Sequence, residues 1–226
     1  APYGGNSSSV ATMITRNVSS IIPSRFTYAV MKTDGSVVSW GVHTENSLMY
    51  RTVNSTIPGS MVSNEAAFAL LSSEGISGGK VIAFGSKYHG GNVQSDKYCN
   101  DFSSQLSSDV VSITASAGAF AARKSDGSVY SWGNTHTGAG ISTESMPSLN
   151  QVEAITATRE AFAALKSDGS VVTWGSKWSG GDSSAVADQL SARVIQVIAN
   201  PTAFVAFKSD ASIVTWGYGK AGGDSS

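Results

Sequence analysis

The stretch AFAALKSDGSVVTWG, Ala161 to Gly175, decides how this chain folds, because it recurs on both sides of itself. GAFAARKSDGSVYSWG ends at Gly133 and TAFVAFKSDASIVTWG ends at Gly217. Looser copies are TYAVMKTDGSVVSWG, ending at Gly41, and AFALLSSEGISGGKVIAFG, ending at Gly85. Self-similarity at a fixed period marks a repeat architecture, so the 226 residues read as five units of about 42 residues each. One aromatic column runs Tyr28, Phe68, Phe120, Phe162, Phe204, with spacings of 40, 52, 42 and 42. A second runs Trp40, Phe84, Trp132, Trp174, Trp216. The length differences fall at Ile76 to Gly79 and at Gln94 to Phe102, where Gly, Ser and polar residues cluster as in loop insertions.

Within a unit, Val194 to Ala199, Ala203 to Lys208 and Ile213 to Trp216 are short β-branched or apolar runs bounded by turn residues, which predicts three strands. Asp-Gly separates the second from the third at Asp34-Gly35, Asp126-Gly127 and Asp168-Gly169, the dipeptide suited to the positive φ angles of a tight hairpin. Unit five carries Asp210-Ala211 there, and an Ala at positive φ costs about 1 kcal/mol. Ahead of the first strand, Asp182, Ser183 or Ser184 can cap a short helix in which Val186 and Leu190 share a face.

The strands are apolar on both faces, as in Val171-Val172 and Val194-Ile195, so each sheet must be covered on two sides. A ring of small antiparallel sheets supplies that cover and leaves only short edges. The expected fold is therefore all-β, a β-propeller of about five three-stranded blades. A linear β-solenoid satisfies the same stacking requirement and stays open at this point. The organisation expected is one repeat domain over 1–226, with units near 4–41, 42–90, 91–138, 139–180 and 181–221. The chain runs from one Gly-Gly turn to the equivalent turn five units later, which fits either a closed ring or a segment of a longer array.

Strand, aromatic, Asp-Gly, then Ser-Val-Val-Thr-Trp-Gly and a Gly-rich turn resembles the repeat of the regulator of chromosome condensation family, over nearly the whole chain. The resemblance implies a β-propeller. The short repeat is similar to the compact bacterial branch of that family, whose blades are three-stranded. The phrasing AFAALKSDGSVVTWG with GGDSS also resembles repeat proteins encoded in many copies by dinoflagellate algae. The nuclear members usually have seven longer blades, a His in the second strand and a Gly-Gln-Leu-Gly turn. Here there are five units, Ala-Phe in place of the His, and Gly-Gly-Asp-Ser-Ser, so nucleotide-exchange activity is not carried over.

The formal charge is -1 and Lys and Arg are not gathered anywhere, which argues against a nucleic-acid partner. No apolar run approaches the roughly 20 residues that span a bilayer, which argues against direct membrane insertion. A single cysteine, Cys99, excludes an internal disulfide and a multi-thiolate metal site. Ala1-Pro2-Tyr3 reads as a processed end, and Asn6-Ser7-Ser8, Asn17-Val18-Ser19 and Asn54-Ser55-Thr56 match the glycosylation triplet. The expected location is secreted or in an organelle lumen, a plastid or thylakoid lumen included.

No catalytic constellation emerges, and no cofactor or metal is expected. The recurrent carboxylates Asp34, Glu74, Asp126, Asp168 and Asp210 sit in hairpin turns, where Asp caps its own backbone. The Lys before Ser-Asp, at Lys124, Lys166 and Lys208, reads as a solvated strand edge. What varies is the segment after each Trp-Gly or Phe-Gly. Tyr3, His43, Tyr88, His89, His136, Lys177, Trp178 and Tyr218 fall there, an aromatic rim if equivalent positions share a face. Packing of Trp178 and Tyr218 onto a neighbouring blade is the competing reading. Pro23-Ser24-Arg25, Asn64-Glu65, Arg159-Glu160 and Asn200-Pro201 form a second candidate surface, read as lying on the other face.

The expected function is a non-enzymatic interaction or scaffold subunit that binds a protein partner or larger assembly through one loop face. Two alternatives stand beside it. One is a carbohydrate-binding lectin that stacks a glycan on the rim. The other is an extrinsic lumenal subunit of a plastid photosynthetic membrane complex.

Overall fold

The structure, a computed structural model, describes residues 6–41, 50–52, 60–72, 78–93 and 101–224. Among them sixteen strands form five antiparallel sheets in chain order. Blade 1 holds β1 (Val18–Pro23), β2 (Thr27–Lys32), β3 (Ser36–Gly41) and β4 (Tyr50–Thr52). Blade 2 holds β5 (Ser60–Ser63), β6 (Ala67–Leu71) and β7 (Val81–Gly85). Blade 3 holds β8 (Val110–Ala115), β9 (Ala119–Lys124) and β10 (Val129–Gly133), and blade 4 holds β11 (Val152–Ala157), β12 (Ala161–Lys166) and β13 (Val171–Gly175). Blade 5 holds β14 (Val194–Ala199), β15 (Ala203–Lys208) and β16 (Ile213–Gly217). The expected three strands per unit are present throughout. Blade 1 gains a fourth because the longer connection after Gly41 contributes β4, paired to β3.

The hairpins differ in kind from the expected tight turn. Gly127 N–H donates to Lys124 O and Lys124 N–H to Ser128 O, which closes a three-residue loop built on a turn followed by one left-handed residue. Only the second residue of Asp-Gly takes positive φ, at 79° in Gly35, 80° in Gly127 and 76° in Gly169. The Asp keeps an ordinary backbone because its side chain is committed elsewhere, accepting the Ser128 N–H at 2.9 Å. Ala211 adopts φ 66° in the same place, so the strain read from Asp210-Ala211 is present.

Blades stack through repeated columns. In blades 2 to 5 the first aromatic lies flat on the second, with centroids 5.2 to 5.4 Å apart. That pair faces back onto the preceding blade, where alanines leave room for it. Phe204, Val214 and Trp216 of blade 5 form one cluster with Ala161, Ala163 and Leu165 of blade 4. Equivalent clusters join blades 3 and 4, 2 and 3, and 1 and 2. In the linkers ahead of blades 3, 4 and 5 a leucine, Leu106, Leu149 or Leu190, plugs the joint and is 2% exposed or less. The short helix expected ahead of β14 is a single 3₁₀ turn, Ser184–Val186, with Val186 and Leu190 both packed into the joint.

The three joints that lead into blades 3, 4 and 5 are fastened by a polar bond as well, whereas blade 2 has Phe84 in the tryptophan column. The indole N–H of Trp132, Trp174 and Trp216 donates to the carbonyl of Gly90, Gly138 and Gly180 in the preceding unit, at 2.9 to 3.0 Å. Gly180 holds φ 89°, and a Cβ on it would lie 2.6 Å from the Phe204 ring, so glycine is required there for backbone and for packing.

Candidate functional site

Strand direction alternates, so the corner between first and second strands and the turn after the third strand lie at one end of every blade. The sequence reading placed them on opposite faces, and the structure corrects this. At each corner a small polar residue accepts the N–H of the residue three positions on, as Asn64, Ser116, Thr158 and Asn200 do from Ala67, Ala119, Ala161 and Ala203. The same side chains donate to the turn of their own unit. Asn64 Nδ2 reaches His89 O at 2.6 Å, Ser116 Oγ reaches Thr137 O, Thr158 Oγ1 reaches Ser179 O, and Asn200 Nδ2 reaches Ala221 O. Corner and rim are therefore one surface, called here the upper face. A Ser, Thr or Asn three residues before each Ala-Phe was the available sequence signal.

The corners converge. Glu65 N–H donates to Ala117 O, Ala117 N–H to Arg159 O, and Arg159 N–H to Pro201 O, a ladder of single bonds from blade to blade. It ends at Pro201, which has no N–H. Glu65 Oε1 takes Arg25 Nη1 and Arg159 Nη2, each at 2.9 Å, and so ties blade 2 to blade 1 and to blade 4. Sheets packed face to face lie about 10 Å apart. In a linear stack blade 3 would hold blades 2 and 4 beyond the reach of one Arg. The blades therefore turn about a common axis, and the solenoid alternative is set aside. All five corners line one cavity of about 680 Å³ around that axis.

Outside the corners stand four 3₁₀ turns, Lys87–His89, Thr135–Thr137, Lys177–Ser179 and Gly219–Ala221. Tyr88, His136 and Trp178 occupy the same middle position in the first three. Tyr88 and His136 are exposed, and Trp178 is 70% exposed, so its packing onto a neighbouring blade does not occur. Lys177 Nζ lies 5.0 Å from the Trp178 ring centre and Lys87 Nζ 5.1 Å from that of Tyr88, cation–π placements that leave each aromatic beside a positive charge. His89 is half-buried, its Nδ1 3.1 Å from Ser86 Oγ, and occupies the last position of its turn rather than the exposed middle one. Tyr218 is exposed but sits two positions earlier, at the cap of its turn. Tyr3 and His43 lie outside the described residues, as do Glu74 and Cys99.

At the lower end, the turn aspartates Asp34, Asp126, Asp168 and Asp210 have carboxyls held below their ordinary range, first by the hydroxyl of the Ser two residues on and then by its N–H. These are structural carboxylates. The lysines there are not free edges. Lys124 Nζ donates to Gln105 O at 2.9 Å and Lys208 Nζ to Gln189 O at 2.7 Å, pinning each linker to its own blade. Burial pushes the Tyr130 hydroxyl up to about 12, helped by its bond to Glu144 Oε1 at 2.9 Å. Among the described residues no three His, Cys, Asp or Glu side chains gather as metal ligands would.

No family model and no curated protein matches the chain. Solved structures do match. Human WBSCR16 aligns with a TM-score of 0.54 and 12% identity, over 90% of this chain and 62% of that one. The ectodomain of the Physcomitrella patens receptor kinase CR4 gives 0.51 and 13%, over 88% and 50%. Yeast RCC1 (Prp20), solved bound to Kap60, gives 0.50 and 16%, over 90% and 56%. The chain thus spans about half to three-fifths of the length of these chains. At such identities the likeness is one of architecture, and the chain has an RCC1-like β-propeller repeat fold.

Proposed function

We propose that this chain is a non-catalytic interaction module that engages a protein partner across its upper face, with Trp178 as the principal anchor. The observation that carries this reading is the exposed Trp178 indole, flanked by Lys177, on the same face as the corner cavity with its Arg25, Glu65 and Arg159 cluster. A rigid aromatic costs little ordering entropy on binding, and Trp and Arg dominate the energetics of protein interfaces. Yeast RCC1, of the same fold, is seen with a protein partner. The test is a photo-reactive residue at position 178, with the same reporter at Ser170 on the lower hairpins as control, followed by cross-linking in the source cell. A protein adduct from 178 and none from 170 is expected. Trp178→Ala should weaken binding of that partner at least about thirtyfold, which is the lower bound for an interface anchor, with the melting temperature unchanged. Adducts from 170 alone would overturn the reading.

The exposed Trp178 also suits sugar stacking, and glycan-array binding abolished by Trp178→Ala would favour the lectin instead. A setting in a secretory or plastid lumen, beside a membrane complex in the plastid case, is part of the same proposal and is tested by fractionation.

A further inference from the structure

The charged residues that line the corner cavity are Arg25, Glu65 and Arg159, two arginines against one glutamate. The cavity is thus locally positive in a chain whose formal charge is -1. Glu65 is the only acid of that lining and the most enclosed of the three, its side chain 24% exposed against 55% for Arg25 and 52% for Arg159. Both guanidiniums bond the same oxygen, Oε1, at 2.9 Å, so the two donor nitrogens stand no farther apart than twice that distance. One carboxylate therefore holds two cations together and balances only one of them.

The rest of the wall points to the same chemistry. Ser63 Oγ donates to Pro23 O at 2.7 Å, and Ser24 Oγ shares a hydrogen bond with Thr27 Oγ1 at 2.6 Å. The hydroxyls of Ser116 and Thr158 are given to the turns of their own units. The N–H groups of Glu65, Ala117 and Arg159 are spent on the ladder. Each guanidinium, by contrast, has five N–H donors and gives one of them to Glu65. What the cavity offers a ligand is a pair of planar forks, the shape that matches the two oxygens of a carboxylate. Arg25 is steadied by Phe26, its Cζ lying 5.1 Å from the ring centre. An excess of one positive charge also suits a carboxylate better than a phosphate monoester, which carries about 1.5 to 2 negative charges. Thr158 Oγ1 bonds Ser179 O at 3.0 Å, so Arg159 and Trp178 each lie one residue from a shared hydrogen bond. A partner seated on the Trp178 indole has the cavity within reach of its neighbouring residues.

We propose that the partner inserts an acidic side chain into the corner cavity, where its carboxylate bridges Arg25 and Arg159 beside Glu65. This rests on the reading of the upper face as a protein-binding surface and adds the chemistry by which a partner is chosen. Glu65 has two effects there: it draws the guanidiniums together, and it reduces the charge that attracts the incoming acid.

The test selects a random peptide library displayed on phage against the purified chain, then measures the enriched peptides, synthesised with amidated C-termini, by fluorescence anisotropy. Each is expected to need an Asp or Glu, whose exchange for Asn or Gln weakens binding about tenfold or more, the loss of one charge-assisted bond. Arg25→Gln and Arg159→Gln should each bring a loss of that size, and neither should further weaken a peptide that already carries the amide. Glu65→Gln separates this role from a structural one. It frees both forks and raises the charge of the cavity, so acidic peptides should bind it more tightly than the wild type, whereas a cluster that only ties blades together loses binding when Glu65 is neutralised. Circular dichroism establishes that the variants fold, and the exchange within the peptide requires no change in the protein. Weaker binding of acidic peptides to Glu65→Gln overturns the proposal, as does a library that yields no acid-dependent binder. Peptides that depend on Trp178 but ignore their own acids and both arginines overturn it as well, and leave the upper-face reading intact.

Discussion

Ala211 shows how one position can reveal both the rule and its exception. Glycine holds the left-handed site in the hairpins of blades 1, 3 and 4, and Ala211 accepts it at φ 66°. Relieving the strain should outweigh the extra freedom that glycine gives the unfolded chain, so Ala211→Gly is expected to raise stability by about 0.5–1 kcal/mol, read as a shift of the urea midpoint. This position was legible in the sequence because the repeat supplies its own comparison. The neighbouring aspartates were legible as turn residues, but not their detailed role. Their carboxyls are stabilised in the charged form by Ser N–H and hydroxyl groups, chiefly the hydroxyl. A carboxylate with a lowered pKa in the fold contributes stability that is full above its unfolded value of 3.8 and is lost as pH falls from there through the folded value. Urea midpoints should therefore drop between pH 5 and pH 2 by roughly the linkage of several such groups. The double variant Asp126→Asn with Asp168→Asn, which keeps an acceptor that does not titrate, should flatten that decline.

Among the elements, the strands and hairpins followed from alternation, β-branching and Asp-Gly, whereas the linkers did not. Val186 and Leu190 gave one linker away, but that a linker leucine plugs the joints ahead of blades 3, 4 and 5 follows only once the blades are packed, since the segments share little beyond that residue. The lysine staples from β9 and β15 were hidden for a similar reason, as their acceptors are backbone carbonyls, which every residue possesses. The alanine column is more informative than it looks. Ala163 lies beneath Phe204, and Ala163→Leu should cost about 1–3 kcal/mol by overpacking that joint. Val205 occupies the same column on blade 5 with no blade above it among the described residues, so Val205→Leu should stay within about 0.5 kcal/mol in dilute solution. Thermal melts of the two variants compare a closed joint directly with an open one, and equal losses would contradict the assignment of front and back faces.

The whole molecule holds what no local reading can reach. Arg159 and Glu65 are 94 positions apart, and only the turning of blades 2 to 4 about an axis brings that guanidinium to that carboxylate. The gathering of corners and rim on one end, by contrast, was available from the alternation of strand direction alone. The tryptophans report on this arrangement. Trp132, Trp174 and Trp216 are buried between blades with their N–H groups bonded, while Trp178 stands in solvent on the upper face. The intrinsic fluorescence should therefore separate into a blue, shielded component and a red component that acrylamide quenches. Trp178→Phe should remove the most readily quenched light, leave a smaller intermediate share from the half-buried Trp40, and keep the blue emission in place. The molecule so carries its own optical probe: any ligand that settles over Trp178 would dim or blue-shift the red component before a single label is attached.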